Sequence, residues 1–157
     1  MMNRKLSDWQ MCKSMQIHAT MVVCNGQGVL LKGASGSGKS DLALRLITNK
    51  RARLVADDVV DLYEKDGKIL GSAPQNLQGL LEIRGVGIVK YPFINDSPIS
   101  LVVNLVASDK VERMPKNEYE NILGVEIPKI DLYARESSAP EKVWTKLFGC
   151  VVNDISV

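Results

Sequence analysis

Apolar and polar residues change their spacing several times along these 157 residues, and each change marks an element. "IHATMVVC" (Ile17 to Cys24) reads as one strand, and the "NGQG" after it supplies a hairpin-type turn. "VLLK" is a short, mostly apolar strand that runs straight into a glycine-rich loop. From Lys39 the period becomes helical, with Leu42, Ala43, Leu46 and Ile47 on one face of a 3.6-residue repeat. Strand spacing returns in "RLVA", "VVDLYE" and "ILGSA"; a Lys65-Asp66-Gly67-Lys68 turn joins the last two, and Pro74 breaks the run. "LQGLLEI" is compatible with a helical turn or an extended segment. "SLVVNLVA" (Ser100 to Ala107) is almost wholly apolar and of strand length, which predicts a central strand. "NEYENIL" predicts a short helix ended by Gly124. "VEIPKIDLY" predicts an extended segment with Pro128 at an edge or bulge, and "PEKVWTKLFG" a last helix with Pro140 in its first turn. The expected fold is a single α/β domain over residues 1–157, with more strand than helix.

Composition excludes several classes of function. With 45% hydrophobic and 24% charged residues the chain is an ordinary globular one, and a formal charge of +2 argues for neither nucleic acid nor membrane. The one basic cluster, Lys50 to Arg53, reads as the solvated end of a helix. Cys12, Cys24 and Cys150 are odd in number and scattered, which fits a reducing compartment rather than a disulfide framework or a zinc site. The N-terminal "MMNRKLSDWQMCKSMQ" lacks the apolar run of a secretion signal, and no window is apolar enough to span a bilayer. The expected location is cytoplasmic.

The glycine-rich loop carries the first chemistry. Gly33-Ala34-Ser35-Gly36-Ser37-Gly38-Lys39-Ser40 satisfies G-x-x-x-x-G-K-[ST]. Chance produces that pattern in roughly half a per cent of chains this long, and the flanking strand and amphipathic helix are further requirements it meets. Glycines let successive N–H groups turn toward a phosphate, and the helix that begins near Lys39 adds its positive end. Lys39 would reach the β and γ oxygens, and the Ser40 hydroxyl would ligate Mg²⁺. The loop leaves the acceptor undefined.

Phosphoryl transfer to a hydroxyl needs carboxylates for metal and a base for the proton. Asp57 and Asp58 arrive at the end of the very next strand, earlier than in common phosphate-loop enzymes, and adjacent residues there point to opposite sides. One would face the phosphates while the other supports it or acts through water; a solvated pair at a turn is the plainer alternative. Glu82 in "LLEIRGVGIV" is a lone acid ahead of Gly85 and Gly87, compatible with a ligand-facing path or with a charged turn. His18, the single histidine, lies near the loop only if Ile17–Cys24 and Val29–Lys32 pair as a hairpin.

Taken in order, "IHAT", "GASGSGKSDLAL", "RLVADDVVDLY", "ILGSAP", "LLEIRGVGIV" and "IPKIDL" resemble the C-terminal catalytic domain of the bacterial HPr kinase/phosphorylase family, from Gln16 to about Leu132. The resemblance implies a phosphate-loop domain of the HPr kinase/phosphoenolpyruvate carboxykinase type, a mixed sheet with flanking helices. It implies ATP and Mg²⁺ as cofactors and the serine of HPr, the sugar phosphotransferase carrier, as acceptor. Gly33 to Ser40 would bind ATP, Asp58 would move the acceptor proton with help from Asp57, and Glu82 would join Ser40 at Mg²⁺. His18 matches an active-site histidine and Arg113, in "KVERMP", a later catalytic arginine. A homo-oligomer, often a hexamer, and the short form without an N-terminal domain are also implied. "DLYARESSAP" holds Arg135 but lacks the family's basic, glycine-containing stretch, which bears on the phosphorylase reaction. Two other functions fit the residues alone: a small-molecule kinase, and a nucleotide sensor without catalysis.

Overall fold

The computed structural model describes residues 13–152. Eleven strands are assigned among them: β1 Ser14–His18, β2 Thr20–Cys24, β3 Gln27–Gly33, β4 Arg53–Ala56, β5 Val59–Lys65, β6 Lys68–Ser72, β7 Leu80–Ile83, β8 Gly87–Lys90, β9 Ser97–Leu105, β10 Glu118–Ile122 and β11 Val125–Leu132. Two α-helices accompany them, α1 Lys39–Lys50 and α2 Ala139–Phe148. No described helix is long and apolar enough to cross a membrane.

The main sheet runs β1-β5-β6-β9-β3-β2-β4, with β11 also joined to β9 and β10 to β11. β9 is the hub, parallel to β3 and β11 and antiparallel to β6. Parallel strands buried on both faces need apolar side chains on both, which is why Leu101, Val102 and Val103 follow one another without a polar break. Leu101, Val103 and Leu105 join Val29, Leu31, Leu42 and Leu46 under the helices. Val102 and Leu30 face the opposite core, closed by Val60, Leu62, Ile69, Ile122 and Ile127 as the sheet curls over itself. The three parallel strands end together, Gly33 and Leu132 both beside Leu105. Ligands of open α/β sheets sit at such carboxyl ends.

Two-residue turns with both positions at positive φ close three hairpins, Asn25-Gly26, Asp66-Gly67 and Leu123-Gly124. The third corrects the helix expected at "NEYENIL", which is strand β10. Gly124 stops no helix there; it is the second residue of a hairpin turn, and its N–H donates to Asn121 Oδ1 at 3.0 Å. β11 then pairs with β10 over its first five residues and with β9 only from Lys129, so Pro128 sits just before β9 joins. "LQGLLEI" resolves as the end of a short 3-10 turn leading to β7, which among the described residues pairs only with β8.

The expected strand Ile17–Cys24 is divided at Ala19 into β1 and β2. β1 pairs with β5 and β2 with β4, and the register from His18↔Val59 to Met21↔Ala56 is continuous across the break. Ala19 therefore faces Asp58 and Thr20 faces Asp57, and Ala19 N–H donates to the Asp58 carbonyl at 3.2 Å. This is one bent antiparallel ribbon, and its bend holds both aspartates.

Gly28 lies where the β3–β9 register shifts, and a methyl group there would overlap the Pro98 carbonyl and meet Met21 Cε at 2.9 Å. Gly28→Ala is expected to lower the unfolding free energy by about 1–3 kcal/mol in urea titration. Burial pushes the Cys24 thiol up from 9.0 to about 11. Its unfolded thiol ionises first, so the stability tied to the protonated native thiol is complete below pH 9 and lost as pH rises toward 11. Urea midpoints of wild type and Cys24→Ala are expected to differ progressively less favourably for wild type across that window.

Candidate active site

Asp57 organises the site. Its residue is only 7% exposed, and its carboxylate accepts three hydrogen bonds from three different elements. Ser40 Oγ, in the first turn of α1, donates to Oδ1 at 2.7 Å, and Thr20 Oγ1, on β2, donates to the same oxygen at 2.9 Å. The backbone N–H of Glu82 on β7 donates to Oδ2 at 3.0 Å. A buried carboxylate needs such partners, since an unpaired one would cost several kcal/mol of desolvation.

Asp58 is turned outward. It has φ 69° and is flanked by a Val59 N–H to Asp57 carbonyl bond of 2.8 Å, the three-residue closure of a γ-turn. A non-glycine residue in that region is strained by about 1–3 kcal/mol and persists only where its surroundings enforce it. Here the Ala19 N–H on the Asp58 carbonyl does so. The exposed His18 is the residue before Ala19, so the bend places it next to Asp58 in the ribbon.

The phosphate loop spans β3 and α1. Gly36 and Gly38 have φ 79° and 99°, and a Cβ on Gly33 would lie 2.5 Å from Ser37 Oγ. Ser37 Oγ is itself buried with no hydrogen-bond partner. α1 starts without a side-chain cap; its first bond is Leu42 N–H to the Gly38 carbonyl at 2.9 Å, so the amides of Lys39 to Asp41 have no helical acceptor. Lys39 Nζ donates to the carbonyls of Gly33 at 2.8 Å and Ala34 at 3.1 Å. Uncapped amides, a partnerless hydroxyl and one ammonium form a donor set for an anion. Among the described residues no three His, Cys, Asp or Glu side chains converge on a metal site. The oxygens of Ser40 and Asp57 suit a Mg²⁺ ion that takes its other ligands from water and phosphate.

Two expected residues stand apart from this cluster. The Glu82 carboxylate is exposed, and only its backbone touches Asp57. Arg113 lies on the exposed 112–117 segment, and among the described residues no hydrogen bond or ion pair joins it to the loop, Asp58 or His18. That segment does begin beyond β9, at the sheet end that carries the loop.

The profile of the HPr Serine kinase C-terminal domain matches residues 9–143. The HPr kinase/phosphorylase of Lactobacillus acidophilus is 39% identical over 140 residues, covering 78% of this chain and 42% of the relative. That of Clostridium perfringens is 36% identical over 136 residues, covering 80% and 44%. The chain thus spans less than half the length of these curated relatives. The solved structure of the Hpr(Ser) kinase/phosphatase from Coxiella burnetii superposes with a TM-score of 0.74 at 32% identity, over 85% of this chain and 93% of that one.

Thr20 escaped sequence reasoning, because its link to Asp57 depends on a ribbon between segments 37 positions apart. The legible signal was a lone hydroxyl in an otherwise apolar strand. Thr20→Val keeps the shape and removes a hydrogen bond to a buried charge. A loss of about 1.5–3 kcal/mol is expected in denaturant unfolding.

Proposed function

Because the chain belongs to the HPr Serine kinase C-terminal domain family, we propose that it transfers the γ-phosphoryl group of ATP to a serine hydroxyl of HPr. The observation that carries the reading is the division of labour between neighbouring aspartates. Asp57 is buried and bonded to the loop's Ser40, while Asp58 is exposed and held outward by the γ-turn. Bound Mg-ATP supplies the phosphoryl group and the cation that offsets its charge.

The chain's own residues bind, orient and move one proton. Gly33 to Gly38 and the first amides of α1 receive the phosphates, with Lys39 as the positive charge among them. Ser40 and Asp57 would hold Mg²⁺, and Glu82, bonded to Asp57 through its backbone N–H, would add its exposed carboxylate from beside them. Asp58 takes the proton of the acceptor hydroxyl as its oxygen bonds to the γ-phosphorus and ADP leaves, and returns a proton to the serine oxygen when phosphoserine is cleaved. His18 lies beside Asp58 in the ribbon, and Arg113 brings positive charge on a segment that leaves the same sheet end. The proposal includes a cytoplasmic location and a homo-oligomer.

Asp58→Asn is expected to retain Mg-ATP binding and to lose about 10²–10⁴-fold in the rate of HPr serine labelling, the range for removal of a general base. Unchanged labelling by this variant, or no labelling of HPr by wild type that binds ATP, would overturn the proposal. Adding inorganic phosphate to labelled HPr tests phosphorolysis in the same assay, in which the serine is freed and pyrophosphate forms.

A further inference from the structure

Arg45 lies outside every motif quoted above, on α1 just over one turn beyond Ser40. Its guanidinium reaches away from the helix to the 133–138 segment that joins β11 to α2. One amino group donates to the Glu136 carbonyl at 3.1 Å and the other to the Ala134 carbonyl, while Nε stands 3.2 Å from Asp41 Oδ2. Two carbonyls of one turn are thus held by the planar fork of a single side chain, a geometry an ammonium cannot reproduce.

What the turn touches gives the contact its meaning. Ala134 is buried, and its Cβ would lie 2.8 Å from a Cβ built on Gly38. Gly38 is the residue before α1, at φ 99°, and its carbonyl accepts the first helical bond. The wall against which the phosphate loop turns into its helix is therefore Ala134, and Arg45 fixes that wall from the helix side. On its other side the turn is tied to α2 by Glu136 and Lys142 at 2.5 Å.

We propose that Arg45 is a positioning residue for nucleotide binding: it braces the Ala134–Glu136 turn against Gly38 and so keeps the phosphate loop in its binding conformation. The inference rests on the nucleotide reading above. A phosphate site built from aimed backbone N–H groups and a helix N-terminus binds through its geometry, so a loop that loses its conformation loses affinity while every group in it is kept.

The test uses the full chain and Mg-ATP as the probe. Arg45→Met keeps the aliphatic stem and removes the fork. Calorimetric affinity is expected to fall at least tenfold, with KM for ATP rising in parallel and kcat at saturating ATP within about twofold of wild type. Arg45→Lys should fall between the two. Lys142→Met, which releases the same turn on its α2 side, should bind as wild type does. A folded Arg45→Met protein with unchanged affinity, or one whose kcat falls at constant KM, overturns the inference; should that variant not fold, the Arg45→Lys comparison decides it. Wild type that fails to bind Mg-ATP would instead overturn the functional reading and this inference with it.

Discussion

A buried carboxylate cannot stand alone in a protein interior, and that constraint organises the site. Asp57 needs donors, and it draws them from the start of α1, from β2 and from β7. The phosphate loop's helix, the ribbon before the loop and the β7–β8 hairpin are thereby locked to one pair of oxygens. The next residue inherits the geometry. Asp58 is left exposed, its backbone strained and its carbonyl pinned by Ala19. Two identical side chains thus stand in opposite settings, one buried and bonded, the other exposed on a strained turn.

Local pattern made much of this legible. The glycine loop, the face of α1, the turns at Asn25-Gly26 and Asp66-Gly67 and the apolar β9 follow from spacing and from residues that tolerate positive φ. "NEYENIL" is ambiguous because Glu, Asn and a following Gly serve a helix end and a hairpin equally well. Pairing with β11, more than a local preference, decides it. The bend at Ala19 carries no local mark, since a register between distant segments leaves none in either.

The site divides along the same line. Residues proposed to act through their own chemistry, Lys39, Ser40, Asp57 and Asp58, are marked by type and spacing. Residues that bear on the site only through placement are not. Thr20 and Arg45 are ordinary residues in an ordinary strand and helix, and only the partners they meet distinguish them. Glu82 draws notice by its carboxylate, whereas its bond to Asp57 is made by the backbone amide.

β9 has a consequence for the order in which the protein can be built. The phosphate loop is complete in sequence by Ser40, yet Gly33 gains its parallel neighbour only at Leu105, and the wall against Gly38 comes later still, at Ala134. During synthesis the loop's residues therefore leave the ribosome well before the strand and turn that shape them. Long-range parallel pairing forms slowly because the intervening chain must first be ordered. A nascent chain ending before β9 holds the motif without its scaffold.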